Sequence, residues 1–239
     1  MRFVPMISLS PRRWLGVLLA GLALCAAPAQ AQALAAGAVA VAGADAAGAR
    51  AAAERGLAEF VQRKQQMHAG ASATGLALEV ADLQQLSSAA IAYGFQVHTI
   101  EPQDLVDGRG DLRSLARPTG TWRFVVQVDA RPVGLVTVAR MNGQWQAVSF
   151  GGAGLAAEVD ALMATHANAE RSNVRFIRVF QAQSDLLEVA AADGKTGYAL
   201  LRSARESLDA DAAAGALRKS HELMVPLRTA VMKNMAVAE

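Results

Sequence analysis

From Thr121 to Phe150 apolar and polar residues alternate along "TWRFVVQVDA", "RPVGLVTVARM" and "QWQAVSF". A period of two predicts strands with one face on a core. Asn142-Gly143 is a strong hairpin signal, because a two-residue type I′ turn needs positive φ at both positions. It pairs Met141 with Gln144, Ala139 with Gln146, Thr137 with Val148 and Leu135 with Phe150. A second tight turn at Ala130-Arg131 pairs Val128 with Val133, Val126 with Leu135 and Phe124 with Thr137. Together these registers gather Trp122, Phe124, Val126, Val128, Val133, Leu135, Val148 and Phe150 on one core face. The other face sets Arg140 opposite Trp145 and Arg123 opposite Val138, with Val125, Val136 and Ala147 between.

Elsewhere the spacing predicts an amphipathic helix from about Asp45, with Leu57, Phe60 and Val61 on one stripe. The stretch from Thr74 to Gly94 reads as a strand at 75–80 and then a helix. "FQVHTI" at 95–100 is a strand bounded by Gly94 and Pro102. After Phe150 come a helix with Leu155, Val159, Leu162 and Met163 aligned, a strand "VRFIRVFQAQ", and a hairpin turning at Asp193-Gly194. A closing helix starts near Ala204, and Pro226 is expected to kink or end it. The fold class is α+β: an antiparallel sheet built around the three-stranded meander at 121–150, with helices packed on it.

The N-terminus changes the picture of where this happens. Arg2, Arg12 and Arg13 precede a charge-free run from Trp14 to Ala44 whose core is "WLGVLLAGLALCAA" and whose exit is "PAQAQA". That order describes a cleavable export signal, cut after Ala29, Ala31 or Ala33 and assigned here to Ala31. General secretion fits "SPRRWLG" better than the twin-arginine route. The expected product is periplasmic or secreted and keeps no stable transmembrane segment. Its organisation reads as a signal at 1–31, an Ala/Gly-rich tether at 32–44, one α+β domain at 45–225 with any break into halves near 168–173, and a tail at 226–239.

Removing the signal takes the basic residues from 23 to 20, against 21 acidic ones. A chain so balanced offers no global attraction to nucleic acid or anionic membrane. Cys25, the only cysteine, leaves with the signal, so the mature chain has no disulfide, thiol nucleophile or thiolate ligand.

Candidate chemistry is sparse. "GAGLAA" from Gly152 matches the relaxed dinucleotide pattern, but an antiparallel meander precedes it instead of a βαβ unit, so its glycines read as a turn into the next helix. "GKT" at 194–196 lacks the preceding glycine of a phosphate loop. Asp104, Asp107 and Asp111 lack calcium-loop spacing, and the RGD tripeptide at 109–111 carries little information. Arg109, Arg113 and Arg117 read as a solvated basic patch. His68, His98, His166 and His221 stand apart without metal spacing, and neither a metal nor a cofactor is expected.

Three functions remain open. The favoured one is an exported, non-enzymatic binding or accessory protein that meets a protein, peptide or amphiphile through a sheet surface containing Arg123, Arg140 and Trp145. That face is alternatively covered by one of the chain's own helices. A cell-envelope hydrolase with a dispersed acid–base site would use His98 and Glu101. A carrier would enclose a lipid or other apolar ligand between sheet and helices.

Overall fold

The computed structural model describes residues 27–67, 76–108, 110–211 and 213–237, with side chains from residue 43 onward. Two compact units are distinguished, Met1–Gly43 and Ala44–Glu239. Of the first, only the helical backbone of residues 27–43 is described. The second contains the whole sheet and its helical cover. Helix α1 spans Ala27–Met67. It thus includes residues 32–44, whose alanine content suggested a tether and equally favours a helix. Among the described residues no helix is long and apolar enough to cross a membrane.

The chain continues with β1 (Ala90–Thr99), the short helices α2 (Pro102–Asp107) and α3 (Leu112–Leu115), and the meander β2 (Arg117–Val128), β3 (Arg131–Met141) and β4 (Gln144–Gly151). Then come α4 (Ala153–His166), β5 (Val174–Val179), β6 (Ser184–Ala190), β7 (Thr196–Leu200), α5 (Arg202–Ser207), β8 (Leu217–Arg218) and α6 (Ser220–Val237). The strands form an eight-stranded sheet in the order β4-β3-β2-β1-β5-β6-β7-β8. Every neighbouring pair is antiparallel except β1 and β5, which run parallel and pair only at Val97 with Phe176 and His98 with Ile177. The fold is α+β, as the pattern of strands predicted.

Burial alternates along β1, while β6 is buried almost throughout, and the side-chain clusters assign the layers. Phe124, Val126, Val136 and Val138 pack with Ala49, Ala52, Leu57 and Phe60 of α1. Phe60 stacks on Phe150 at 4.5 Å between ring centroids. Their neighbours Val125 and Leu135 point the other way, to join Phe95, Val97, Phe176 and Leu187 under Val159 and Met163 of α4. Ile177, Leu186 and Tyr198 lie with Leu223, Leu227 and Val231 of α6. Helices α1 and α6 therefore cover the two halves of one face, and α4 crosses the other.

The structure corrects three local expectations. The turn after β2 falls at Asp129-Ala130, whose φ angles are 50° and 61°. Val128 consequently pairs with Arg131 and Phe124 with Val136. Pro132, with no N–H to give, sits opposite Gln127 beside the irregularity between Val126 and Gln127. A second shift, between Thr137 and Val138, leaves Val148 as an extra residue on β4. The β2–β3 register places Leu135 on the α4 face, and Val148 is exposed. The Asn142-Gly143 turn forms as expected, with Met141 opposite Gln144.

Residues 76–80 form no strand, and Thr74 and Gly75 lie outside the described residues. Leu78 is buried against Gly134, where a methyl group would fall 2.5 Å from Leu78 Cδ2. The Glu79 N–H is tied to Val133 O at 2.8 Å. The helix expected next is reduced to one 3-10 turn, Gln85–Ser88, because Ile91, Phe95 and Val97 commit the chain to β1. The closing helix is likewise divided. α5 ends at Ser207, and α6 runs through Pro226 to bury Leu227, Ala230 and Val231, so the stretch expected to be a tail contributes three residues to the core while Met232, Met235 and Val237 stay exposed.

Gly94 of β1 pairs with Phe124 of β2, whose ring lies across it. A methyl group there would fall 2.3 Å from Phe124 Cε1, and the ring is itself buried. Gly94→Ala is therefore expected to destabilise the fold by about 1–3 kcal/mol, read as a lower urea midpoint at unchanged m-value. An unchanged midpoint would mean that the Phe124 ring yields freely.

Candidate functional site

Arg140 and Trp145 meet as the pattern predicted, with the guanidinium 4.8 Å from the indole centroid. Both belong to the face under α1. Arg140 pairs with Asp45, and a methyl group on Gly48 would fall 2.8 Å from Trp145 Cδ1. The helix thus covers part of the surface these two residues present, leaving Trp145 half-buried and Arg140 exposed.

Arg123 lies on the opposite face, because the β2–β3 register differs by one residue from the expected one. Its guanidinium sits 5.6 Å from the Phe176 ring, and its Nη1 is buried without a hydrogen-bond partner. Burial holds its pKa below the usual arginine value. Nearby, Arg178 Nη1 reaches both carboxylate oxygens of Asp185 at 3.2 and 3.1 Å, and the Ser203 hydroxyl donates to the same carboxylate at 3.0 Å. Burial pushes the Asp185 pKa up, opposed by Arg178 and Ser203.

A more enclosed site lies at the seam between the two antiparallel blocks. Beside the two-residue contact of β1 with β5, the strands part around a cavity of about 220 Å³. Its apolar lining includes Phe95, Met163 and Phe176, and Phe95 and Phe176 stand 5.0 Å apart between centroids. Its polar lining includes His98, Trp122, Arg171 and Arg175. The Trp122 Nε1 is buried and has no hydrogen-bond partner. An orphaned buried donor costs about 1–3 kcal/mol, so it needs an explanation.

The two arginines are held differently. Arg175 donates twice to Glu188, at 3.0 and 2.5 Å, and once to the Arg113 carbonyl at 3.1 Å. Glu188 is itself buried, with Arg113 as a second cation at 3.8 Å. Arg171 lies 4.1 Å over the Tyr93 ring, and the Tyr93 hydroxyl donates to Asp160 at 3.0 Å. Asn168, Ser172 and Asn173 lock the loop that carries Arg171 through mutual hydrogen bonds.

His98 is at the seam, with Nδ1 3.3 Å from Gln96 O. Glu101 is exposed at the N-cap of α2, and no hydrogen bond or ion pair joins the two. Arg113 and Arg117 are drawn to Glu188 and Asp104, while Arg109 lies outside the described residues. Asp111 caps α3. Gly152, with φ at 69°, is the N-cap of α4, and its carbonyl accepts from Ala156 at 2.9 Å. That geometry is a turn. His166 Nε2 is 2.9 Å from Gly215 O, and His68 lies outside the described residues. No group of three metal-ligating side chains occurs among the described residues.

Trp122, Arg171 and Arg175 had no signal as a set, since they come from separate stretches joined only by the β1–β5 contact. Trp122 was assigned to the core face, and its partly buried indole, packed against the cluster of Phe124 and Val126, agrees with that placement. Its role at a cavity depends on strands about fifty residues further along the chain.

Burial and Arg175 together lower the His98 pKa below its usual value of 6.5. The unfolded chain therefore binds the proton more readily, and the folded state loses stability as pH falls below about 6.5. Urea midpoints of the wild type should rise between about pH 5 and pH 7, and His98→Gln should flatten that slope. Equal slopes would show that His98 titrates alike in both states. Comparison with known protein families, characterised proteins and solved structures finds no match for this chain.

Proposed function

We propose that this is an exported binding protein whose ligand is a small anionic amphiphile held in the seam cavity. The observation that carries this reading is the Trp122 indole N–H, buried and unpaired beside an apolar cavity edged by arginines. A ligand carboxylate would accept from Trp122 and lie near Arg171 and Arg175, while its hydrocarbon part would rest on Phe95, Met163 and Phe176. The lowered pKa of His98 favours a neutral imidazole at pH 7, which adds polarity without charge.

Size narrows the class. A space of about 220 Å³ equals roughly seven water molecules of liquid. That suits a short-chain acid and is small for a membrane lipid. Support for export is the basic start and charge-free leucine-rich run of the N-terminus. A His98–Glu101 enzyme has no contact between the two residues to build on.

Trp122→Phe keeps the ring and removes the donor. Calorimetric titration with hexanoate is expected to show binding to the wild type and roughly tenfold weaker binding to this variant, the loss of one charge-assisted hydrogen bond. The ligand-free variant should unfold at the same temperature as the wild type or above it, because an unsatisfied donor is gone. Equal hexanoate affinities would sink the reading. Export is tested separately: the denatured mass of the secreted chain should correspond to a start at Gln32, and an intact Met1 terminus would refute cleavage.

A further inference from the structure

The free edge of β4 supports an inference independent of the seam. β4 is the outermost strand of the sheet and, among the described residues, pairs only with β3. Natural edges are commonly protected by charges or proline. "QWQAVSFG" has neither, and Val148 is its one irregularity. Alongside this edge runs a groove of about 310 Å³ between β4 and α1.

The groove has a patterned wall. Arg55, Glu59 and Arg63 line it from α1, spaced four residues apart on one helical stripe. Trp145, Ala147 and Phe150 line it from the strand, and a methyl group on Gly56 would fall 2.3 Å from Ala147 Cβ. Helix and strand thus touch at the floor. Arg55 and Arg63 are exposed, and among the described residues neither forms an ion pair with Glu59 or any other acid. Eight residues of helix separate the two arginines by about 12 Å. Residues i and i+4 of a strand are about 13 Å apart and share one face.

We infer that β4 accepts an extended segment of another protein as an added strand, with acidic side chains at i and i+4 facing Arg55 and Arg63 and a basic one at i+2 facing Glu59. Backbone pairing to β4 holds the segment, and the charge order −,+,− sets which segment is taken. A second copy of β4 lacks this complement, since the strand is uncharged, and pairing two copies would bring two net-positive stripes together.

The test uses the secreted full chain and the peptide acetyl-Thr-Glu-Val-Lys-Val-Glu-Thr-amide, followed by amide chemical shifts. Binding should perturb the amides of Gln144–Ala147, and Arg55→Glu with Arg63→Glu should weaken it roughly fivefold while favouring the charge-reversed peptide. An N-methylated counterpart of the same sequence should not bind. Three results would overturn the inference: no binding, equal binding of the N-methylated peptide, or indifference to the double charge reversal. A dimer of the free chain that Val148→Lys dissociates would also overturn it, by assigning the edge to a second copy.

Discussion

The parallel contact between β1 and β5 holds the two halves of the sheet together. Only Val97 with Phe176 and His98 with Ile177 are paired there, yet every strand on either side depends on it for continuity. Two backbone pairings are a weak hinge by themselves, so side chains must secure them. Phe95 and Phe176 pack together under α4, and the Thr99 hydroxyl donates to Arg178 O across the same joint at 2.8 Å. Because the pairing is short, the strands diverge beside it, and the divergence is what creates the cavity.

Charge is distributed around this joint in a consistent way. On the α6 face Glu188 is buried with Arg175 and Arg113; on the α4 face Asp185 is buried with Arg178. Removing one partner from such a pair commonly costs about 3–5 kcal/mol, since the remaining charge stays desolvated. Both acids occur on β6 and both primary partners on β5, at the cross-strand positions Arg175–Glu188 and Arg178–Asp185. The pairs therefore align β5 with β6 and leave Trp122 Nε1 and Arg123 Nη1, among the described residues, as the buried side-chain polar atoms without partners.

Helix α1 has a separate task. It covers the meander face with small residues, Ala49, Ala52 and Ala53, that let it approach the strands closely, and with Leu57 and Phe60 that fill the space toward Phe150. Arg140 and Trp145, which the alternation rightly placed opposite each other, become part of this contact through Asp45 and Gly48. The same helix leaves the outer edge of β4 uncapped. A surface that looks like a binding face in an isolated hairpin is thus partly an internal interface, while among the described residues the outer edge of β4 pairs with no other strand.

The division between what the chain shows locally and what it does not tracks contact distance along the sequence. Alternation with the Asn142-Gly143 turn determined the meander, helical spacing of Leu155, Val159, Leu162 and Met163 determined α4, and the Asp193-Gly194 turn determined the β6–β7 hairpin, because those signals act between residues close in sequence. The sequence alone did not settle the β2–β3 register, where Asp129-Ala130 competed with Ala130-Arg131 by one residue and so decided which face Leu135 and Arg123 occupy. It also could not reveal that α6 would run through Pro226, since buried Leu227 and Val231 outweigh the lost hydrogen bond only once the sheet is there to bury them. The seam lies furthest from local signals: Trp122 and Arg175 meet around a cavity only after α4 returns the chain to pair β5 with β1. Periodicity encodes which side of an element is apolar, and only tertiary packing decides which apolar sides face each other and where a gap remains between them.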